Sequence, residues 1–364
     1  MPLPVPFSSA IVLLWLSCFL PAVDLTAQSE VRATVVDAAT GQPLPFATAF
    51  YDGTTVGTVT DESGLFVLPA PRTPAPTLVI THVGYESFRL PLTGEKLPPR
   101  ITLEAVPTLT ATVEVDDRNN RENNLREFLE RYLGNDDWGR RSTLANDSVL
   151  YFERHYRDDT LSTEQPINLR ARSLAPLEID LPDLGYRVSV DLKHFTLDYR
   201  TGGMRFLASY YYQPYEGNGT PLPRHAQNRR TAYYNSPQHF LRALYRDSLQ
   251  AEGYAVYTDN GHTIEPLELS QYVRPGPEEG QKTIRGLQGT DIRILYYGDG
   301  EHRPLPRGRR FMRSPETSQL YLFEPSAAFR SDGTMPKGTL TFAGALGRVS
   351  LSRMLPSDYT PEPD

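Results

Sequence analysis

The chain of 364 residues carries a formal net charge of −7 at pH 7. This length exceeds that of most single domains, so we expect at least two folded units. A general nucleic-acid binder needs a basic face and a high isoelectric point, and the acidic balance therefore argues against a nucleic-acid partner.

The N-terminus has the pattern of an export signal. The run AIVLLWLSCFLPAV at residues 10–23 is too short to span a bilayer and is typical of the apolar segment of a signal peptide. Small residues follow, and cleavage after Ala27 predicts a signal peptide at residues 1–27, although the preceding MPLPVPFSS lacks Lys and Arg. No later stretch is long and apolar enough for a transmembrane segment. We expect an exported protein, in the periplasm or at the outer membrane or cell surface.

Cys18, the only cysteine, lies inside this apolar segment. Lipidation of Cys18 would associate the protein with a membrane, but Trp15 stands where a lipidation signal normally has Leu, so this is the minor alternative. After cleavage no cysteine is left, which excludes disulfides, thiolate metal sites and cysteine nucleophiles.

Residues 30–115 are predicted to form an antiparallel β-sandwich, because short runs of alternating apolar and polar residues recur between turn signals. The clearest run is GTVTDESGLFVL, where two strands flank a turn from Asp61 to Gly64. Asp accepts hydrogen bonds from the amides that follow it, and Gly adopts positive φ without strain. We interpret the turn as structural. The alternative, a calcium site at Asp61 and Glu62, lacks repeated oxygen ligands.

Several residues of this region are shared with a known family: Thr40, Gly41, Pro43, Leu44, Ala47, Gly57, Thr58, Asp61, Gly64, Phe66, Gly84 and Tyr85. With them, residues 30–115 resemble the carboxypeptidase regulatory-like domain, a transthyretin-like module common at the N-termini of exported proteins in Bacteroidota. The resemblance implies a seven-stranded Greek-key β-sandwich and a non-catalytic accessory role.

A linker at residues 116–124 is predicted to lead into an α+β domain at residues 125–355 with at least two helices. The first helix ends at Gly134 and buries an apolar stripe of Leu125, Phe128, Leu129, Tyr132 and Leu133. The second is capped by Ser236, has Pro237 in its first turn and ends at Gly253. The predicted fold class of the whole chain is therefore mostly β with α+β, that is, a β-sandwich followed by an α+β domain.

The rest of the C-terminal region reads as strands, followed by a flexible tail at residues 356–364. Segments such as NNLREFLERYLGND and NRRTAYYNSPQHFLRALYRDSL resemble the C-terminal region of uncharacterised Bacteroidota proteins with the same N-terminal domain. This resemblance implies no catalytic residue and no cofactor.

Two groups of side chains suggest catalysis. His262 and Glu265 with the later His302 have the residue types of a zinc-dependent carboxypeptidase-like hydrolase, but the surroundings of a zinc site are missing. Ser236 and His239 could pair as nucleophile and base, although a capping serine explains the pattern better. We therefore expect no catalytic residue and no bound metal.

Two further groups suggest a partner surface. Anionic glycolipids or acidic proteins are candidate partners for the arginines of RPLPRGRRFMR, which are Arg303, Arg307, Arg309, Arg310 and Arg313. The alternative, a solvated loop, is the more common role of such a stretch. A sugar could stack on Tyr210, Tyr211, Tyr212 and Tyr215, but alternation along a strand favours core packing.

Together these features predict an exported, non-catalytic cell-envelope protein that acts as a binding or structural module for a protein or glycan partner. The alternatives are a zinc-dependent hydrolase, and an accessory of an outer-membrane transporter, because the same sandwich often precedes plug and barrel regions.

Overall fold

The computed structural model describes residues 30–71, 73, 76–93, 96–106, 120–156, 166–217, 219–259, 263–298, 315–336, 339–348 and 350–361. The predicted signal peptide at residues 1–27, the strand-like run at residues 109–115 and the predicted arginine surface from Arg303 to Arg313 lie outside these ranges.

The N-terminal unit, called the sandwich below, consists of two small sheets. Its strands are β1 (Val31–Asp37), β2 (Thr48–Tyr51), β3 (Gly57–Val59), β4 (Leu65–Leu68), β5 (Thr77–Thr81), β6 (Phe88–Pro91) and β7 (Arg100–Leu103). One sheet has the order β4-β1-β7 and the other β3-β2-β5-β6. Val35, Phe66, Leu78 and Ile101 are buried in their common core. The predicted β-sandwich is confirmed.

One strand pair differs from the antiparallel prediction. β1 and β7 run in parallel, from Thr34 opposite Arg100 to Asp37 opposite Leu103, whereas the other pairs of the sandwich are antiparallel. Between β1 and β7 the chain crosses twice to the second sheet and back, through β2 and β3 and then through β5 and β6. Such a crossover lets a strand return parallel to its neighbour.

The middle part of the chain forms a larger sheet, called the large sheet below, with three helices. Its elements are α1 (Arg121–Tyr132), α2 (Asp137–Arg141), β8 (Thr143–Leu144), β9 (Leu150–Tyr156), β10 (Pro166–Ser173), β11 (Leu177–Leu181), β12 (Tyr186–Asp198), β13 (Met204–Pro214) and α3 (Pro223–Tyr233). The strand order is β8-β11-β12-β10-β9, and β13 pairs with β12. β12 is therefore the central strand.

Helix α1 covers one face of the large sheet. The ring of Phe128 lies 5.9 Å from that of Phe152 and 4.9 Å from that of Phe195, measured between centroids. Tyr132 and Leu133 are buried in the same cluster, and Leu125 and Leu129 pack at its edge. The predicted apolar stripe is the buried face of the helix, as its 3.6-residue period requires.

The last part of the chain has its own hydrophobic cluster around α4. Its elements are α4 (Pro237–Tyr245), β14 (Tyr254–Asp259), β15 (Ile264–Pro266), β16 (Val273–Pro275), β17 (Gln281–Arg285), β18 (Ile292–Tyr296), β19 (Glu316–Leu322), β20 (Ser326–Arg330) and β21 (Leu340–Gly344). The sheets have the orders β15-β14-β18-β19-β21 and β16-β17-β20. The region predicted as one α+β domain thus contains two hydrophobic clusters. The predicted fold class, mostly β with α+β, is confirmed.

Three helix boundaries differ from the sequence-based expectation. α1 begins at Arg121, so the last four residues of the predicted linker are helical. α4 ends at Tyr245 and not at Gly253, because Asp247 adopts a left-handed φ of 54° that a right-handed helix cannot continue. The sequence did not indicate α3, since PRHAQNRRTAY has no apolar stripe.

The C-terminal residues differ from the predicted flexible tail. The Arg242 guanidinium donates hydrogen bonds to the carbonyl oxygens of Ser357 at 2.7 Å and Tyr359 at 2.8 Å. The ring of Tyr359 meets that of Tyr233 edge-on at 5.9 Å. A buried guanidinium needs acceptors, and this requirement orders residues 356–361 despite their polar, proline-rich sequence.

No helix in the described ranges is long and apolar enough to cross a membrane.

Candidate functional site

Three tyrosines that the sequence offers as a sugar-stacking surface are buried on β13. Tyr210 and Tyr212 point into the cluster under α1, whereas Tyr211 points to the opposite face and stacks on Phe50 of the sandwich at 5.3 Å. Successive side chains of a strand point to opposite faces, so both faces of the large sheet are covered here. Tyr215, 46% exposed, is the surface member of the group.

Asp52 fixes the sandwich to β13. One carboxylate oxygen accepts a hydrogen bond from the backbone N–H of Tyr210 at 2.9 Å. The other accepts from the Ser209 hydroxyl and from the guanidinium of Arg89, both at 3.0 Å. Hydrogen bonds to an ionised carboxylate are stronger than neutral ones, so this single side chain joins the two units firmly.

Backbone hydrogen bonds extend the same contact, which we call the junction. The amide of Gly53 donates to the carbonyl of Tyr210 at 2.7 Å, and the amide of Tyr212 donates to the carbonyl of Thr54 at 3.0 Å. Thr54 and Tyr211 form a parallel bridge. The loop after β2 therefore pairs with β13 like a short additional strand, which sets the orientation of the sandwich on the large sheet.

The C-terminal segment closes the junction from a third direction. The amide of Ser357 donates to the carbonyl of Gly53 at 2.7 Å. The Asp358 carboxylate accepts from the hydroxyl of Thr55 at 2.7 Å and from its amide. Since Arg242 holds the same segment, the sandwich, the large sheet and α4 are tied together at one place.

A cavity of about 290 Å³ lies beside the junction, between the sandwich and the large sheet. Residues around the start of β6 and on β10 and β12 line it, among them His82, Tyr85, Glu86, Ser87, Arg172, Asp191 and Lys193. Its volume is near the lower end of the range for small-molecule sites, about 300–1,000 Å³. Both units contribute polar groups, so the cavity exists only because they are joined.

A β-bulge in β12 places Lys193 in the cavity. Leu192 pairs with Ala208 and His194 pairs with Leu207, so Lys193 is an extra residue without a partner in β13. A bulge interrupts the alternation of faces and can redirect a side chain. Here it turns both Lys193 and His194 towards the face that carries the sandwich.

The Asp191 carboxylate lies at the centre of the polar groups of the cavity. The Ser87 hydroxyl donates to the Asp191 carboxylate at 2.7 Å. The Lys193 ammonium lies 3.4 Å from Asp191 and 3.4 Å from Glu86. Asp191 is 8% exposed, and a buried carboxylate needs this hydroxyl and ammonium to remain charged at low cost.

The aromatic wall of the cavity is held by a second carboxylate. The Tyr85 hydroxyl donates to Asp37 at 2.8 Å, and this hydrogen bond raises the pKa of Tyr85. The backbone N–H of Thr40, together with the Tyr85 hydroxyl, lowers the pKa of Asp37. The His82 ring packs edge-on against Tyr85 at 5.0 Å. Tyr85 and His82 thus present a fixed pair of rings.

Ser87 and His82 line the cavity but are not paired as nucleophile and base. A serine nucleophile needs an adjacent base to remove its proton, but Ser87 faces a carboxylate that Lys193 neutralises. The His82 Nδ1 contacts the carbonyl oxygen of Val83 at 2.9 Å and not the serine. Within the described ranges, no three His, Cys, Asp or Glu side chains are placed to hold a metal ion.

The other candidate residues lie apart from the cavity. The Asp61 carboxylate accepts hydrogen bonds within its own turn, from the amide and hydroxyl of Ser63 and from the amide of Leu65. The Ser63 hydroxyl is the largest contribution to the lowered pKa of Asp61. Gly64 has φ of +74°, and a Cβ there would lie 2.4 Å from the Val35 carbonyl oxygen. The polar groups of the turn thus hydrogen-bond to one another and stabilise the turn itself.

Ser236 and His239 do not pair as nucleophile and base. Ser236 accepts the backbone N–H of His239 at 3.1 Å, as an N-cap does. The imidazole of His239 instead faces Glu252 and Tyr254. Glu265 is exposed on β15, and His262 and His302 lie outside the described residues.

Sequence reasoning missed a buried charged cluster at α3. The Nδ1 of His225 lies 2.5 Å from the Glu216 carboxylate, and Arg229 donates to the Leu184 carbonyl at 2.7 Å while its guanidinium stands 4.1 Å from the centroid of the Tyr186 ring. Burial raises the pKa of Glu216, but the hydrogen bond from His225 and the charge of Arg229 outweigh it and lower the pKa to about 2. The cluster attaches α3 to the large sheet.

Comparison with known proteins assigns the N-terminal unit. The family model of the CarboxypepD_reg-like domain matches residues 31–120. No curated protein matches the chain. One similar solved structure is a protein of unknown function from Bacteroides fragilis NCTC 9343, provisionally named as membrane-associated. It has 10% sequence identity and a TM-score of 0.17 over 50% of this chain and 94% of that chain, and a score this low establishes no shared fold.

Proposed function

We propose that this chain, whose residues 31–120 form a carboxypeptidase regulatory-like domain, is an exported, non-catalytic protein of the cell envelope that binds a protein or glycan partner. The matched domain is a non-catalytic module. Export is supported by the sequence of residues 1–27, with its apolar segment and small residues before the cleavage point.

The observation that carries the proposal is the cavity between the sandwich and the large sheet. Ligand sites occur preferentially where two units meet, and here the junction through Asp52 and Tyr210 fixes both walls in advance. A preformed site loses less conformational entropy on binding than one that must close. The sandwich then serves as one wall of a binding site.

The lining indicates the chemistry of the partner. A hydroxyl, two carboxylates and an ammonium surround the cavity with the rings of Tyr85 and His82. Such a mixture of hydrogen-bonding groups and flat apolar rings fits a sugar unit or a polar peptide segment.

Site-specific crosslinking tests this function. A photoreactive residue would replace Glu86, whose side chain is 61% exposed, in the native envelope. A matched substitution of the exposed Glu130 on α1 is the control. We expect adducts from position 86 that are absent from position 130. Equal labelling at both positions, or no adduct at either, contradicts the proposal. Cell fractionation checks export, since recovery of all the protein in the cytosol excludes an envelope role.

A further inference from the structure

The sandwich covers only part of the outer face of the large sheet. Asp191, Ser209 and Tyr211 lie under it, but beyond the Lys193 bulge most side chains of the same face are exposed within the described part of the chain. We call this exposed part the open sheet face; it is formed by Arg170, Arg172, His194, Thr196, Arg205 and Leu207. We infer that the open sheet face binds an acidic polysaccharide.

The strand register places these side chains on one face. Arg170 pairs with Thr196, and Thr196 pairs with Arg205. Directly paired residues share a face, and so do residues two apart along a strand. Arg172 follows Arg170 by two residues, which adds a third guanidinium. Phe195, between His194 and Thr196, points the other way and is fully buried.

The three arginines have no partner for their charge within the described residues. Arg170, Arg172 and Arg205 are exposed and form no ion pair or side-chain hydrogen bond there. By contrast, Arg154 on the α1 side bonds to Glu127 at 2.8 Å and to Asn124. A protein of net charge −7 thus gathers on one patch three guanidinium groups that form no ion pair within the described residues.

Two carboxylates on the same face lower its positive charge but do not bond to these arginines. Glu153 stands opposite Arg170 on β9 and contacts His155 at 3.6 Å. Asp198, two residues beyond Thr196, accepts hydrogen bonds from the amides of Arg200 and Thr201. Guanidinium groups bind carboxylate or sulfate with two parallel hydrogen bonds. The open sheet face therefore offers several such sites in a fixed array.

The composition of the face favours a polysaccharide over a protein or a nucleic acid. The centre of a protein interface is apolar, and Leu207 is the single large apolar side chain among the six residues of this face. Single-stranded nucleic acid is held by rows of exposed aromatic rings on which its bases stack, and among the six residues His194 alone carries an aromatic ring. A sugar chain needs neither feature.

The open sheet face continues into the cavity, because Arg172 lines both. One chain could thus place a sugar unit in the cavity and its charged neighbours on the arginines. The inference accordingly rests on the proposed function and narrows the partner to a glycan that carries anionic groups.

Binding to polygalacturonate, with neutral dextran for comparison, tests the inference in affinity electrophoresis at low and high salt. The test variant is Arg170→Gln/Arg205→Gln, because neither residue lines the cavity. The control is Arg131→Gln/Arg348→Gln, which removes the same charge from exposed positions elsewhere. We expect the full-length protein and the control to bind polygalacturonate and the test variant to bind about tenfold more weakly with a smaller salt dependence. Dextran should not bind to any of them through this face.

Several outcomes overturn the inference. These are equal binding by the test and control variants, absence of polygalacturonate binding, and equally tight binding of poly-glutamate or single-stranded DNA. Thermal unfolding of both variants should match that of the parent protein, because all four side chains are exposed. If crosslinks from position 86 persist while polygalacturonate does not bind, the inference fails and the proposed function stands. If both are absent, both fail.

Discussion

Gly57 lies so close to Tyr211 that a Cβ atom on the glycine would stand 2.4 Å from Cε2 of the tyrosine ring. The glycine begins β3 of the sandwich, and the tyrosine belongs to the large sheet. The missing side chain lets the Tyr211 ring stack on Phe50. The close approach of the two units thus depends on a glycine at position 57.

The substitution Gly57→Ala should destabilise the junction. The added methyl group forces the Tyr211 ring out of its stack, and we expect the free energy of unfolding to fall by about 1–3 kcal/mol in urea denaturation. The double variant Gly57→Ala/Tyr211→Ala provides the control, since without the ring the methyl group has room. The two changes should therefore be strongly non-additive. Additive losses would show that the ring does not limit this position.

Removal of the Asp52 carboxylate should weaken the same junction through polar contacts. In Asp52→Ala, the amide of Tyr210, the hydroxyl of Ser209 and the guanidinium of Arg89 lose their shared acceptor. We expect a loss of about 1–3 kcal/mol in chemical denaturation. Asp52→Asn keeps one carbonyl oxygen, so its loss should be smaller. Equal stability of both variants and the parent would contradict the assigned role.

Shortening the C-terminus should also be costly. A chain that ends at Leu355 lacks two of the three carbonyl acceptors of Arg242, those of Ser357 and Tyr359, and the contacts of Ser357 and Asp358 with the sandwich. We expect the free energy of unfolding to fall by about 2–4 kcal/mol, because a buried guanidinium keeps only the acceptor of Asp332 and its two terminal nitrogens lose theirs. A chain that ends at Pro361 keeps these contacts and is the control. Identical melting curves for the two chains would refute the packing of this segment.

Local patterns predict the elements that bury an apolar face. The stripe through Phe128 and Tyr132 identifies α1, and the Ser236 cap identifies the start of α4. The turn at Asp61 is readable because its hydrogen bonds are all local. In each case the residues that stabilise the element are near one another in the sequence, so their spacing alone carries the information.

The cavity could not be predicted from such patterns. Ser87 and Asp191, which meet in it, are 104 residues apart, and the bulge that directs Lys193 inward leaves no mark in the sequence. α3 escaped notice because it buries His225 and Arg229 through polar contacts. The consecutive tyrosines at the end of β13 do not alternate with polar residues, because each face of that strand is covered by a different unit. The sequence therefore does not show which of them faces which unit.

The stability of the protein should depend on the protonation of His239. Its side chain is 2% exposed, and the backbone N–H of Asn235 donates to Nδ1 at 3.2 Å. A backbone N–H can only donate, so the ring proton sits on Nε2, 3.1 Å from the Glu252 carboxylate. Burial lowers the pKa of His239 below its usual 6.5, with further lowering by Arg242 and Arg246 that Glu252 partly opposes.

Because the folded pKa is the lower one, the unfolded chain takes up a proton first as the pH falls. The stabilisation linked to His239 is therefore complete above pH 6.5 and is lost progressively below it, at up to about 1.4 kcal/mol per pH unit. Urea denaturation of the parent protein and of His239→Gln between pH 8 and pH 5 measures this. The variant should be less stable at pH 8, because it loses the contacts of the ring with Glu252 and Tyr254, but its stability should fall less steeply with decreasing pH. Parallel pH profiles for the two proteins would show that His239 does not titrate in this range.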